Sequence, residues 1–530
     1  MLSLLALALV PLTLGAPLQD LVTSLPGWTA PLPSKIYSGF IDAGSDVQDG
    51  QAYNVSMWYM FVEAEESPLT APVLLWSNGG PGASSAYGLF TELGPFYLSS
   101  ESLKADPPTL FRNDFSWSKL ANVLILNGPA PVGYSYCLPA GPAGPFTSCG
   151  SWNDTRTFDF NLRFVNNFFA AFPEYKANDF YIAGESFAGV YTGMLVDGLL
   201  NASTQLNLRG LALGDACMGV DVLCGGGEKD KGPWLSILFD AGQGCISLPT
   251  FEAILALCPM PLLKTGPISA LPADCQRAIA ASSEECPGNA YYAYNYLDQC
   301  PPDPFRAVGA LPGPPPQPSG YPCGGDGALT QWITSPATKA ALHIPADAAY
   351  HSADNGNGFV YNLTWASNLP LLRRLQTGKD GVKVLIYNGE TDPSVSSVKS
   401  QEYSFGLGFP VADAWRPWTF GAAGPQIVAG QIVQWEGNIS HATIRGSGYV
   451  LAAQRNAPEC AGSPTSHPLA CLCPLPPPPL LLRSHMVPGF KPYSAFLLLQ
   501  NFLADGGTGT WPALPPSRGR PGNALPGDKY

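Results

Sequence analysis

Two hydrophobic periods alternate along this chain. Solid apolar runs of a few residues, closed by turn residues, are followed by stretches with helical spacing. Val73–Trp76 in "APVLLWSNGGPG" predicts a buried strand running into a glycine-rich turn, and Val123–Leu126 in "ANVLILNGPAPVGYSY" repeats that layout. "NDFYIAGESFAGVYTGMLVDGLL" predicts a strand, a tight turn at Ser186 and a helix from about Val190. "GVKVLIYNGETDP" predicts a further strand ending in a polar turn at Asn388, and "FKPYSAFLLLQNFLA" an amphipathic final helix. Apolar strands alternating with helices give an α/β class with a mostly parallel central sheet. Residues 217–330 are richer in Cys, Pro and Gly and carry helical pieces such as "LPTFEAILALC", which predicts a cap inserted between core strands. The tail, 506–530, lacks periodicity and is expected to be disordered. No internal repeat is found.

Composition changes this picture in two ways. Of the 530 residues, 46% are hydrophobic and only 13% charged, enough for a substantial core, while 55 prolines and 57 glycines demand many turns. The net charge of −13 offers no basic face to nucleic acid and suits a protein working in acid, where protonation relieves self-repulsion. The apolar run Leu2–Leu14, followed by Gly15 and Ala16, reads as a signal peptide cut near Ala16. The main domain would then span 17–505, with secretion, or alternatively the vacuole, as destination. That run is too short to span a bilayer, and no later stretch is long enough. Five sequons, at Asn54, Asn153, Asn201, Asn362 and Asn438, agree with the secretory route. In such a compartment the 13 cysteines should mostly pair. Setting aside Cys460, Cys471 and Cys473, which lie in an odd segment before His485, an even set of ten remains.

A serine hydroxyl becomes a nucleophile only beside a base and with its oxyanion product held. A strand–serine–helix turn lifts the hydroxyl above the sheet edge and needs small neighbours. "GESFAG" supplies them, with Gly184 two before Ser186 and Ala188 two after, where the usual pattern has glycine. The order serine, acid, histidine of the α/β-hydrolase architecture is met by Ser186, by Asp392 in the turn after a strand, and by His485 before the last helix. Of the five histidines, His343 sits in a helical pattern, and His441 is a competitor without a glycine turn beside it. No metal-ligand spacing and no cofactor motif emerges: Cys471-Leu472-Cys473 is too close, and no histidine pair lies near acids.

"WSNGGPGASSAYGLFTELGPF", "GESFAG", "GLALGDACMG", "YPCGGDGALTQWI" and "HMVPGFKPYSAFLLLQNFL" together resemble the serine carboxypeptidase family, over about Lys35 to Ala504. The style of the motifs points to a secreted, fungal-type member. The resemblance implies an α/β-hydrolase fold and release of single C-terminal residues from peptides through an acyl-enzyme. It implies that Asn78, the backbone of Gly79, Glu92 and Glu185 bind the substrate's free carboxylate. It also implies that the backbone N–H groups of Gly80 and Phe187 form the oxyanion hole. Two glutamates meeting a carboxylate cannot all ionise, so a shared proton and an acidic optimum are expected. This chain departs from the pattern with Phe187 for a common tyrosine, Ala83 for a cysteine and Glu390 for an aspartate. Acyl transfer or ester hydrolysis on the same fold is the alternative.

In the family pattern Gly-x-Gly runs directly into His-Met-Val-Pro. Here the 36 residues Tyr449–Ser484 separate Gly448 from His485. They are compositionally foreign and rich in Pro and Leu, whose codons are pyrimidine-rich. Gly448-Tyr449-Val450 can be encoded with a splice-donor consensus, and Ser484 can supply the acceptor AG in frame. We read 449–484 as a retained intron, with an inactive chain as the consequence to be tested.

Overall fold

The computed structural model describes residues 16–202, 206–224, 232–287, 325–352, 360–420, 427–445 and 487–504. Residues 1–15, read above as part of a signal peptide, the segment 449–484 with His485, the 506–530 tail and part of the cap region lie outside the described residues.

Twelve strands form one sheet. They are β1 (Leu21–Val22), β2 (Ile36–Gln48), β3 (Gln51–Val62), β4 (Val73–Ser77), β5 (Asn122–Leu126), β6 (Tyr136–Leu138), β7 (Asp179–Glu185), β8 (Asn207–Gly214), β9 (Lys383–Gly389), β10 (Val411–Phe420), β11 (Ile427–Trp435) and β12 (Ile439–Ile444). Their order is β1-β2-β3-β5-β4-β7-β8-β9-β12-β11-β10, with β6 paired to β3. The six from β5 to β12 in this order run parallel, and the pairs outside them are antiparallel. This is the α/β class expected from the alternating periods, in the α/β-hydrolase arrangement that the resemblance implies.

The apolar runs have no polar alternation because both faces of the parallel strands are covered. Successive side chains of one strand enter opposite layers. Val73, Leu75, Leu124, Phe180, Ile182, Val384 and Ile386 join one core with helices α1 (Asp154–Ala171) and α2 (Ala188–Asn201). Leu74, Trp76, Val123, Ile125, Ala183, Leu385 and Tyr387 join the other, against the final helix Pro492–Leu503 through Ala495 and Leu498.

The cap lies between β8 and β9 in sequence, as expected. Helices α3 (Trp234–Gly242), α4 (Leu248–Leu257), α5 (Met260–Thr265) and α6 (Ala273–Glu285) bury a small core of their own around Ile254, Leu263 and Cys275. A core this small needs staples, and two disulfides, Cys245–Cys286 and Cys258–Cys275, supply them. Cys137–Cys149 and Cys217–Cys224 complete the pairs among the described residues, and the other five cysteines lie outside them.

Register fixes where function can sit. The chain leaves β4 for its neighbour β5 on one side, then crosses to β7 on the other. A crevice at the carboxyl ends of the strands is expected at such a switch point. Ser77 pairs with Gly184, Glu185 with Gly214, Gly214 with Tyr387, and Gly389 with Ile444. The residues just beyond these positions, Asn78, Ser186, Asp215, Asn388 and Arg445, therefore line one edge of the sheet.

Candidate active site

Ser186 occupies the turn between β7 and α2 with φ of 58°, a left-handed backbone that a non-glycine residue adopts only where its surroundings enforce it. They do so through three hydrogen bonds. The Ser186 N–H donates to Gly214 O at 3.0 Å, and Ser186 O accepts from Gly189 N and Cys217 N, both at 2.9 Å. Phe187 caps α2, so its N–H is among those a helix leaves unpaired at its positive end. Its ring lies edge-on to Tyr191 and Tyr361, at 5.3 and 5.6 Å.

The glycine turn after β4 lies on this serine turn. A Cβ at Gly79 would come within 2.4 Å of Phe187 N and 2.8 Å of Glu185 O, so only glycine allows the approach. Gly80 follows with φ of 106°, again open only to glycine. The glycine turn that carries Gly80 is thus packed, through Gly79, against the backbone of Phe187.

Asn78 is oriented by its donors. Its Oδ1 accepts from Trp76 Nε1 at 2.8 Å and from Gly88 N at 3.1 Å, which turns its amide NH₂ toward the glutamates. That NH₂ donates to Glu92 Oε1 at 3.2 Å and to Glu185 Oε1 at 3.4 Å. Both glutamates are buried, and their carboxyls are in hydrogen-bond contact. Burial, and then the charge of Glu92, hold the Glu185 carboxyl well above the usual range. Two carboxyls facing each other in a buried site must share a proton.

Asp392 is fully buried in the turn after β9, and its carboxylate accepts from Ser394 N at 2.7 Å and Val395 N at 3.2 Å. The cap reaches the same turn, where Gln243 Nε2 donates to Glu390 O at 3.0 Å. Behind it stands a network that sequence reasoning missed. Asn388 Nδ2 donates to Asp215 Oδ1 at 3.1 Å, and Asn388 Oδ1 faces His441 Nε2 at 3.1 Å. His441 Nε2 is therefore the protonated nitrogen, and Nδ1 accepts from Ser404 Oγ at 2.9 Å. With both ring nitrogens engaged and its pKa pushed down by burial to about 3, His441 is a neutral structural group rather than a competing base. The signal for Asp215 was an acid set directly after an apolar strand, in the same position as Ser186 after β7.

His485 lies outside the described residues. The chain leaves β12 beside the acid turn, with Glu390 N donating to Ile444 O at 3.1 Å. It returns in the helix Val487–Phe490, where a Cβ on Gly489 would lie 3.0 Å from Thr91 O and 3.3 Å from Glu92 Cγ. Both described flanks of the interrupted segment thus sit at the candidate site.

A model of the family described as serine carboxypeptidase matches residues 26–461. The chain belongs to the serine carboxypeptidase family. Serine carboxypeptidase-like 40 of Arabidopsis thaliana is 31% identical, covering 81% of this chain and 79% of the relative. Serine carboxypeptidase 1 of Hordeum vulgare is 28% identical, over 82% of this chain and 90% of the relative. In fold, the chain is similar to Kex1Δp, a prohormone-processing carboxypeptidase from Saccharomyces cerevisiae, with a TM-score of 0.60 at 19% identity over 82% of this chain and 92% of that one. The protein is accordingly a serine-type carboxypeptidase of the α/β-hydrolase fold, and its disulfides fit the secretory pathway typical of the family. Among the described residues no helix is long and apolar enough to cross a membrane, and no group of His, Cys, Asp or Glu is arranged to hold a metal ion.

The buried acids and His441 oppose each other in stability. Glu185 and Asp215 have folded pKa values raised above 4.5 and 3.8, so at higher pH the folded chain keeps protons the unfolded chain has lost. Their contribution therefore falls as pH rises. His441, lowered from 6.5 to about 3, lacks a proton the unfolded chain gains below 6.5, so its contribution falls as pH drops. The two acids are expected to lower the unfolding midpoint as pH rises above the ordinary carboxylate range. Asp215→Asn, which cannot ionise, should lose its share of that fall in calorimetry. An unchanged pH profile of the midpoint in the variant would contradict the assignment.

Proposed function

We propose that this serine carboxypeptidase removes single C-terminal residues from peptides in acid, with Ser186 as nucleophile, His485 as base and Asp392 as the acid that orients it. The observation that carries the reading is the fixed Asn78 amide, aimed by Trp76 and Gly88 at the paired Glu92 and Glu185 beside the serine turn. A free substrate carboxylate would be received by Asn78, the Gly79 backbone and a glutamate pair that holds a proton. With the C-terminus anchored there, the last peptide bond reaches Ser186.

In the forward step Ser186 Oγ attacks the carbonyl carbon while His485 takes the hydroxyl proton. The oxyanion is held by the N–H groups of Gly80 and Phe187. His485 then protonates the leaving amine and the C–N bond breaks, releasing the terminal amino acid. Water, deprotonated by the same histidine, hydrolyses the acyl-serine and regenerates the hydroxyl.

The test compares N-blocked dipeptides with free and amidated C-termini. A site built around a carboxylate should lose about 10³-fold or more in kcat/KM for the amide. Equal rates, or preferred transfer to an alcohol, would overturn the reading.

Secretion, or delivery to the vacuole, follows from the signal-like start, and glycosylation is supported best at Asn201, Asn362 and Asn438, which are exposed. Asn54 and Asn153 are partly buried, and Asn153 Oδ1 caps α1 by accepting from Arg156 N at 2.8 Å. Residues 449–484 are read as a segment foreign to the mature enzyme, because a histidine that must be positioned within a fraction of an ångström should not follow a long insertion. Removing Tyr449–Ser484 is expected to raise kcat by about 10²-fold or more. Transcripts that consistently retain the segment, with full activity of the 530-residue chain, would contradict this.

A further inference from the structure

Asp215 is a fully buried acid that the peptidase mechanism leaves unused. It follows β8 with φ of 40°, held there by its N–H donating to Tyr387 O at 2.8 Å. Its Oδ1 accepts from Asn388 Nδ2 and from Gly389 N, both at 3.1 Å, and its Oδ2 accepts from Gly389 N at 3.3 Å. The carboxyl is also in hydrogen-bond contact with that of Asp392. Two carboxyls in contact need a proton between them.

The surroundings decide which acid holds it. The titratable groups facing Asp215 are Asp392 in the acid turn, Glu185 on β7, Tyr387 on β9 and Tyr403 on the helix Ser397–Gly406, with His441 one step away through Asn388. All are acids or neutral groups, and among the described residues no Lys or Arg forms an ion pair with Asp215. Burial and then the Asp392 charge push the Asp215 carboxyl well above the usual range.

We propose that Asp215 is a positioning residue for the triad acid: it stays protonated and donates its O–H to the Asp392 carboxylate. One oxygen of Asp215 is tied to Asn388 and Gly389, in the strand end that carries the acid turn, so the donated hydrogen bond fixes the carboxylate relative to the sheet. Asn388 and His441 hold Asp215 in turn, and Ser404 closes the chain of bonds. Asp392 is then held in place by a neutral donor anchored in the sheet. The proposal rests on Asp392 acting as the triad acid, so its test includes a readout independent of turnover.

That readout is infrared difference spectroscopy of wild type against Asp215→Asn in D₂O at about pH 7, where an ordinary aspartate is ionised. The difference should show loss of a protonated-carboxyl stretch and no loss of a carboxylate band. Loss of a carboxylate band instead would overturn the proposal, whatever the activity. In turnover, Asp215→Ala should lower kcat by about tenfold to a hundredfold with KM little changed. Asp215→Asn, which keeps a donor and cannot ionise, should recover most of that loss. An asparagine variant as slow as the alanine one, or a loss confined to KM, would also count against the assignment. If the alanine variant fails to fold, the infrared comparison still decides.

Discussion

Replacing Ser186 with alanine is expected to lower kcat by about 10⁴- to 10⁶-fold and to leave the fold intact. The expectation comes from the serine turn itself. Ser186 sits at φ of 58° because the Gly214, Gly189 and Cys217 backbones hold it there, and none of those bonds uses the hydroxyl. Removing Oγ therefore removes the nucleophile and leaves the turn. The paired glutamates and Asn78 remain, so KM for a blocked dipeptide should move little. Steady-state kinetics at about pH 5, with the unfolding midpoint measured alongside, checks both halves. A loss of only about tenfold would mean that another group attacks the carbonyl.

The second large effect is on pH dependence. If the Glu92–Glu185 pair must hold a proton to accept a substrate carboxylate, KM in the wild type should rise about tenfold per pH unit once that proton is lost. Glu185 has a folded pKa raised by burial and by Glu92, so the pair keeps its proton to higher pH than an ordinary glutamate would. In Glu185→Gln the titration disappears, because the amide cannot ionise. Its KM should be nearly flat with pH, somewhat above wild type in acid and below it once the wild-type pair has lost its proton. Parallel KM profiles for the two proteins would show that the pair does not govern binding.

The fold was legible because its periods are unmixed. Val73–Ser77 and Asn122–Leu126 are apolar at every position or nearly so, and both faces of these strands are covered. Ser186 was legible for a related reason: a strand, a small-residue turn and a helix leave one hydroxyl exposed to chemistry. Asn78, Glu92 and Glu185, proposed to bind the substrate carboxylate, came only with the resemblance, since single polar residues carry no period. The structure adds how they are held, through the Trp76 indole and the Gly88 N–H, and neither bond could be read from spacing. Asp215 and His441 escaped assignment because their importance lies in register: β8, β9 and β12 bring them to Asn388 from positions far apart in the chain. His485 is proposed from its motif alone and lies outside the described residues, whose flanks on either side reach Glu390 and Glu92.

The most direct test of the account is covalent labelling of the 530-residue chain with a phosphonofluoridate, followed by peptide mass spectrometry. Reaction requires a serine hydroxyl with a working histidine beside it. A single label is expected on Ser186, absent from His485→Ala and formed faster once Tyr449–Ser484 is removed. A chain that takes no label with or without that segment, or that is labelled at another serine, would contradict it.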